Sequence, residues 1–150
     1  METIHFSILI NAPKEKVWQT MLDDKTYRQW TAAFHEGSYY VGGWNKGDEI
    51  RFIGPGEKGK EEGMYSRIKD NKQYQFISIE HLGIIKDGKV DTTSAEVKKW
   101  APSFENYTFT QKGDQTEVKV DMQISEEYKS AFDQMWPRAL HALKQLSEKK

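Results

Sequence analysis

The chain has 150 residues, of which 22 are basic and 23 acidic, giving a formal net charge of −1. Because these charges are interspersed, they do not build the positive field that nucleic-acid binding usually requires, so DNA and RNA are not expected partners. Cysteine is absent, which excludes disulfides, thiolate metal sites and a thiol nucleophile. A chain of this length is most simply one domain, and we expect residues 1–150 to form it.

The N-terminus and the hydropathy pattern bear on the compartment. Met1–His5 has no basic stretch followed by a long apolar run, as a secretory signal would. No apolar stretch approaches the roughly 20 residues that a membrane-spanning helix needs. A chain without cysteine is compatible with a reducing compartment. We therefore expect a cytoplasmic protein without a membrane span.

The first part of the chain predicts a strand followed by two short helices. Apolar residues alternate through Ile4–Ile10, as in a strand with one buried face. The segment Pro13–Leu22 starts with a proline, which suits the first turn of a helix, and carries apolar residues at helical spacing. Asp23 or Asp24 can cap a second short helix that ends near Trp30.

The middle of the chain predicts a meander of short strands separated by glycines. These predicted strands are Gly37–Val41, Asp48–Ile53, Gly63–Ile68 and Tyr74–Leu82. Residues 84–102 are polar and predict a long loop, in which Thr93 and Glu96 match a capping box for one or two helical turns. Trp100 would anchor this loop, either as a lid over a cavity or as a cap on the core.

The last part predicts two strands, Phe104–Gln111 and Thr116–Ile124, and then a long helix capped by Ser125. The helix carries an apolar stripe at steps of three or four residues: Tyr128, Phe132, Met135, Ala139, Leu143 and Leu146. Pro137 lies inside this pattern and is expected to bend the helix, because the stripe continues beyond it. Trp136 should face the interior beside the bend.

These elements predict an α+β fold of the helix-grip type. A curved antiparallel sheet of about six to seven strands would wrap around the long C-terminal helix, with two short helices after the first strand. Such an arrangement leaves a space between sheet and helix. Aromatic residues make up 13% of the chain, and they would either wall this space as a cavity or fill it as a core.

Several motifs that would indicate catalysis or cofactor binding fail on inspection. The segment Gly54–Lys60 resembles a phosphate-binding loop, but Glu61 stands where a hydroxyl should meet magnesium and a strand follows instead of a helix. The four histidines lack metal-ligand spacing. No serine lies in a nucleophile elbow. We therefore predict no metal, no cofactor and no catalytic residues.

Polar residues on strands leave one question of orientation open. Ser66 lies between two apolar neighbours on an inward-looking face. Ser78 and Glu80 share a face with Phe76, and a carboxylate on the inner face would be costly unless it were paired or hydrated. If the alternate residues of that strand point inward instead, Glu80 lies on the ordinary surface.

The order of elements and several short segments resemble a known family. These segments are Asn11–Trp18, Asp24–Trp30, Gly42–Gly43, Phe104–Phe109 and Trp136–Leu140. They are similar to the SRPBCC superfamily of START-related and pollen-allergen-like proteins, in the branch of the C-terminal domain of the activator of heat-shock-protein-90 ATPase. The resemblance implies the helix-grip fold. It also implies a choice of functions: ligand carriage, polyketide cyclisation, or a stress-response role with a chaperone as partner.

Three functional hypotheses follow. The first is a module that binds a hydrophobic or amphipathic small molecule in the cavity without catalysis, and its alternative is that the same residues simply fill the core. The second is interaction with a chaperone through the surface, and the third is a cyclase-like enzyme. The residues expected to bind the small molecule are Trp18, Trp30, Phe34, His35, Tyr40, Phe52, Met64, Phe76, Ser78, Tyr107, Phe109, Met122, Phe132, Met135 and Trp136.

Overall fold

The structure is a computed structural model that describes residues 1–149. The strands are β1 (Glu2–Ile10), β2 (Tyr39–Gly42), β3 (Glu49–Pro55), β4 (Glu61–Lys72), β5 (Phe76–Lys86), β6 (Lys89–Asp91), β7 (Ser103–Lys112) and β8 (Gln115–Ile124). The α-helices are α1 (Lys14–Leu22), α2 (Asp24–Trp30), α3 (Ala95–Lys98) and α4 (Glu126–Glu148), with 3-10 turns at Thr31–Ala33 and Glu57–Gly59. No helix among these residues is both long and apolar enough to cross a membrane.

The strands form one antiparallel sheet in the order β1-β8-β7-β5-β4-β3-β2, with β6 paired to β5 beside that path. The first and last strands of the chain are therefore neighbours, because β1 pairs with β8 from Glu2 opposite Ile124 to Ile10 opposite Thr116. Helix α4 packs against β1, α1 and α2. The predicted α+β helix-grip fold is confirmed.

One face of the sheet supplies most of the core. Residues directly opposite each other in an antiparallel pair share a face, and the register places Ile77 opposite Tyr107, and Tyr107 opposite Val120. All three are buried, as is Ile79. The question left open for β5 is therefore settled: Ile77 and Ile79 point inward, and Glu80 lies on the other face.

The segment 84–102 contains more regular structure than the predicted loop. β5 continues to Lys86 and forms a hairpin with β6, and the short helix α3 follows. The cap is also different, because the Ser94 hydroxyl, not Thr93, accepts a hydrogen bond from the Val97 amide at 3.2 Å. Val97 is 0% exposed. The predicted helical turn is therefore present, with Ser94 as its cap, and Val97 is its buried side chain.

Helix α4 extends without interruption past Pro137, but its buried stripe differs from the predicted one. Tyr128 is 53% exposed, whereas Trp136 is 2% exposed and Leu140 is also buried. The buried line is therefore Trp136, Ala139, Leu140, Leu143 and Ser147, with Phe132, Met135 and Leu146 half-buried. Tyr128 lies in the first turn of the helix, before the part that is buried. The interior position of Trp136 is confirmed.

Candidate functional site

A cavity of about 570 Å³ lies between the sheet and the helices α2 and α4. Its sheet wall comes from β3, β4, β5, β7 and β8, and its other walls come from α2, the turn after it and the first three turns of α4. Glu96 and Trp100 approach it from α3 and the loop beyond. Several lining residues are solvent-exposed, including His35, Glu62 and Tyr128, so the cavity opens to solvent on that side.

Many of the residues predicted to bind a small molecule line this cavity. They are Trp30, Phe34, His35, Phe52, Met64, Tyr107, Met122, Phe132 and Trp136. Most are aromatic or methionine side chains, which offer apolar surface with few polar demands. The structure thus brings these side chains together around one space, and their contact with a ligand stays a prediction.

The other predicted residues lie elsewhere in the described part of the chain. Trp18 packs on Phe109 with ring centroids 5.1 Å apart, at the α1 side of the core. Tyr40 turns away because its hydroxyl donates to the Leu22 carbonyl at 2.6 Å. Phe76 and Ser78 occupy the face of β5 opposite Ile77, and Met135 precedes the residue of α4 that reaches the cavity.

Trp136 contacts aromatic side chains from several elements that line the cavity. Its ring lies 4.7 Å from that of Phe34, and 6.1 Å from those of Trp30 and Tyr107, measured between centroids. The indole Nε1 points to the Met122 sulfur at 3.4 Å. One side chain of α4 thereby contacts α2, the turn after it and the sheet.

A buried polar cluster crosses the sheet wall of the cavity. The Ser66 hydroxyl lies 2.7 Å from His81 Nδ1, and His81 Nε2 lies 3.0 Å from Glu105 Oε1. The Tyr107 hydroxyl donates to the other carboxylate oxygen of Glu105. His81, Glu105 and Tyr107 line the cavity. The network satisfies the buried polar groups that would otherwise be costly on this face.

The order Ser66, His81, Glu105 has the connectivity of a hydrolase triad, but its position argues against nucleophilic chemistry. Ser66 is 0% exposed, so a substrate in the cavity has no access to its hydroxyl. Both ring nitrogens of His81 are already engaged, one by Ser66 and one by Glu105. The network therefore holds His81 and Glu105 in place and presents the carboxylate to the cavity.

Strand alternation in the sequence indicates that Glu105 and His81 lie on the inner face of the sheet. The sequence predicts that Tyr107 lines the cavity, and Glu105 lies two residues earlier on the same strand, which places it on the same face. Likewise, once Ile77 and Ile79 face inward, His81 must follow them. Charged and titratable residues on strands are mostly exposed in proteins, so Glu105 and His81 are not among the predicted site residues.

Burial, and then the negative charge of Glu105, raises the pKa values of Tyr27 and Tyr107 well above the usual range for a phenol. In the unfolded chain both tyrosines ionise above about pH 10, whereas in the folded chain they stay protonated. The unfolded state then binds fewer protons, so the free energy of unfolding falls by about 1.4 kcal/mol per pH unit for each of them. Their contribution is complete below about pH 10 and is lost above it.

We expect the Tyr107→Phe variant to show a shallower alkaline loss of stability than the wild type, by about 1.4 kcal/mol per pH unit. Urea unfolding measured between about pH 11 and pH 12, above the ordinary pKa of a tyrosine, gives this slope directly. Tyr128→Phe is the control for the loss of one tyrosine hydroxyl, because this side chain is 53% exposed. An identical slope for Tyr107→Phe and wild type would show that Tyr107 is not held protonated.

Within the part of the chain that the structure describes, no group of three or more His, Asp or Glu side chains could hold a metal ion. The candidate site has mainly apolar walls, a buried polar network on its sheet side and polar side chains at its rim.

Comparison with known proteins gives one family and many similar folds. The family model "Activator of Hsp90 ATPase homolog 1-like protein" matches residues 11–148. No curated protein matches the chain. Similar solved structures include the Aha1 dimer from Colwellia psychrerythraea, with a TM-score of 0.72, 17% identity, and coverage of 99% of this chain and 97% of the other. The protein ChR145 from Cytophaga hutchinsonii has the same TM-score, 19% identity, and coverage of 99% and 94%.

A third similar structure is DynU16, a protein in the dynemicin biosynthetic locus, with a TM-score of 0.71 and 12% identity. The match covers 99% of this chain, which spans about half of DynU16, 48% of its length. At identities this low, the structural similarity shows a shared fold and does not show a shared function.

Proposed function

We propose that this chain, which belongs to the Activator of Hsp90 ATPase homolog 1-like family by a match over residues 11–148, binds a hydrophobic or amphipathic small molecule in the cavity between sheet and α4, without chemical turnover. The observation that carries the proposal is the cavity itself: about 570 Å³, walled mainly by aromatic and methionine side chains. This volume falls in the range of about 300 to 1,000 Å³ typical of small-molecule sites.

The driving force is removal of apolar ligand surface from water. Each buried methylene is worth about 0.8 kcal/mol, so each added methylene should tighten binding about fourfold until the cavity is full. Trp30, Trp100 and Trp136 line the cavity, and their fluorescence reports its occupancy. Turnover is not part of the proposal, because Ser66 is inaccessible and both nitrogens of His81 are engaged.

The test is a titration with hexanol, octanol and decanol, followed by tryptophan fluorescence and melting temperature. We expect saturable binding whose dissociation constant falls with chain length. The blocking variant is Ile84→Phe, which adds volume at a lining position of β5, and its matched control is Val90→Phe on the exposed neighbouring strand β6. Loss of binding only in Ile84→Phe supports the cavity as the site. Absence of saturable binding in the wild type, or equal binding by both variants, would overturn the proposal.

A second candidate, interaction with a chaperone of the heat-shock-protein-90 class, is favoured by the family match over residues 11–148. Such an interaction would use the surface, so Ile84→Phe should leave it intact. Pull-down of a purified chaperone of this class by the wild type and by Ile84→Phe separates the two functions. Equal capture by both proteins would support the surface interaction.

A further inference from the structure

The cavity is lined by three carboxylates, Glu62, Glu96 and Glu105, and by two histidines, His35 and His81. The described residues of the lining include no lysine or arginine, and the N-terminal residue Met1 also lies there. Glu62 and Glu96 are exposed and form part of the rim, whereas Glu105 is only 9% exposed and belongs to the wall. An amphipathic molecule that enters therefore meets acidic side chains at the rim and again inside.

Glu105 has hydrogen-bonding capacity left over. A carboxylate offers about four lone-pair positions, and among the described residues the partners of the Glu105 oxygens are His81 Nε2 on one and the Tyr107 hydroxyl on the other. Both contacts fill acceptor positions, so what remains accepts hydrogen bonds as well. The free acceptor positions of Glu105 lie in a wall that also contains apolar residues such as Trp136 and Met122. An unpaired acceptor in such surroundings is costly.

Resting on the proposed function, we propose that the cavity selects amphipathic molecules whose polar end donates hydrogen bonds, namely alcohols, phenols and amines, and rejects carboxylates such as fatty acids. A hydroxyl or ammonium group placed at Glu105 completes its hydrogen bonds. A carboxylate placed there meets a like charge and finds acceptors where it needs donors. The tail is held by the apolar wall in every case, so the polar end decides the affinity.

The test compares decanol, decylamine and decanoate, which share one tail, by fluorescence titration below their critical micelle concentrations. A hydrogen bond to a charged group is worth about tenfold or more in affinity, so decanol and decylamine should each bind the wild type at least tenfold more tightly than decanoate. In Glu105→Gln the gap between decylamine and decanoate should narrow by about tenfold. Glu80→Gln is the matched control, because it removes the same charge from the opposite face of the neighbouring strand, and it should leave the ranking unchanged.

The outcomes distinguish a failure of the proposed selectivity from a failure of the proposed binding function. Decanoate binding as tightly as decylamine to the wild type would overturn the selectivity and leave the binding function standing. Failure of all three molecules to bind would overturn both. If Glu105→Gln does not fold, the wild-type ranking still tests the selectivity, and Glu96→Gln on the exposed helix α3 replaces it. That variant should shift the ranking in the same direction, and an unchanged ranking would count against the acidic lining.

Discussion

Replacing Trp136 with alanine is expected to lower the free energy of unfolding by about 3 to 5 kcal/mol. The side chain is 2% exposed and contacts Phe34, Trp30 and Tyr107 through its ring. Removing it leaves a void next to an existing cavity and removes the ring contacts between α4 and its neighbours.

Equilibrium urea unfolding measures this change, with Tyr128→Ala as the control on the same helix. Tyr128 is 53% exposed, so its replacement should change the stability by no more than about 0.5 kcal/mol. Trp136→Phe, which keeps an aromatic ring but loses the indole contact to the Met122 sulfur, should fall between the two. A midpoint for Trp136→Ala within error of the wild type would contradict the central position assigned to this residue.

Replacing His81 with leucine is expected to cost about 3 kcal/mol, because it removes one donor from a buried carboxylate. Glu105 would retain only the Tyr107 hydroxyl among its side-chain partners in the described residues, and Ser66 would lose its partner as well. The leucine fills a similar volume, so the loss reports the broken network and not a void.

The double variant His81→Leu, Glu105→Leu isolates the interaction. Once the carboxylate is also gone, no charge is left buried, so the double variant should be less destabilised than the sum of the two single variants by at least about 1 kcal/mol. Unfolding of the four proteins in urea gives this coupling energy. Strictly additive effects would show that His81 and Glu105 do not depend on each other.

The strand pattern of this chain was readable from the sequence because one face of the sheet is buried and the other is not. The alternation in Ile4–Ile10 and in Thr116–Ile124 identified the two strands that pair at the start of the sheet order. Glycines separated the central strands, and Pro13 marked the start of the first helix. Each of these signals is local, which is why the fold class followed from the residues alone.

The site was harder to predict because it depends on which strands become neighbours. Ser66, His81 and Glu105 come from β4, β5 and β7, and only the observed pairing places them within hydrogen-bonding distance. The sequence shows each of them as an isolated polar residue on a strand. The hydrogen bonds between these residues, which offset the cost of burying them, form only in the folded sheet.

The predicted stripe of α4 is wrong at its first residue. Tyr128 is 53% exposed, whereas the other five residues of the stripe are buried or half-buried. Steps of three and four residues define a face of the helix but do not show where along its length burial begins, which depends on how the helix packs on the sheet. The bend that Pro137 is expected to cause stays a prediction.

Methyl NMR of the methionines tests the central claim, that a small molecule occupies the space between sheet and α4. Met64 and Met122 line the cavity, whereas Met21 is fully buried in the core on α1. With methyl-labelled protein and saturating decanol, we expect the Met64 and Met122 signals to shift and to show nuclear Overhauser contacts to the decanol chain, while Met21 stays unchanged. Shifts confined to Met21, or decanol contacts to neither Met64 nor Met122, would contradict the account.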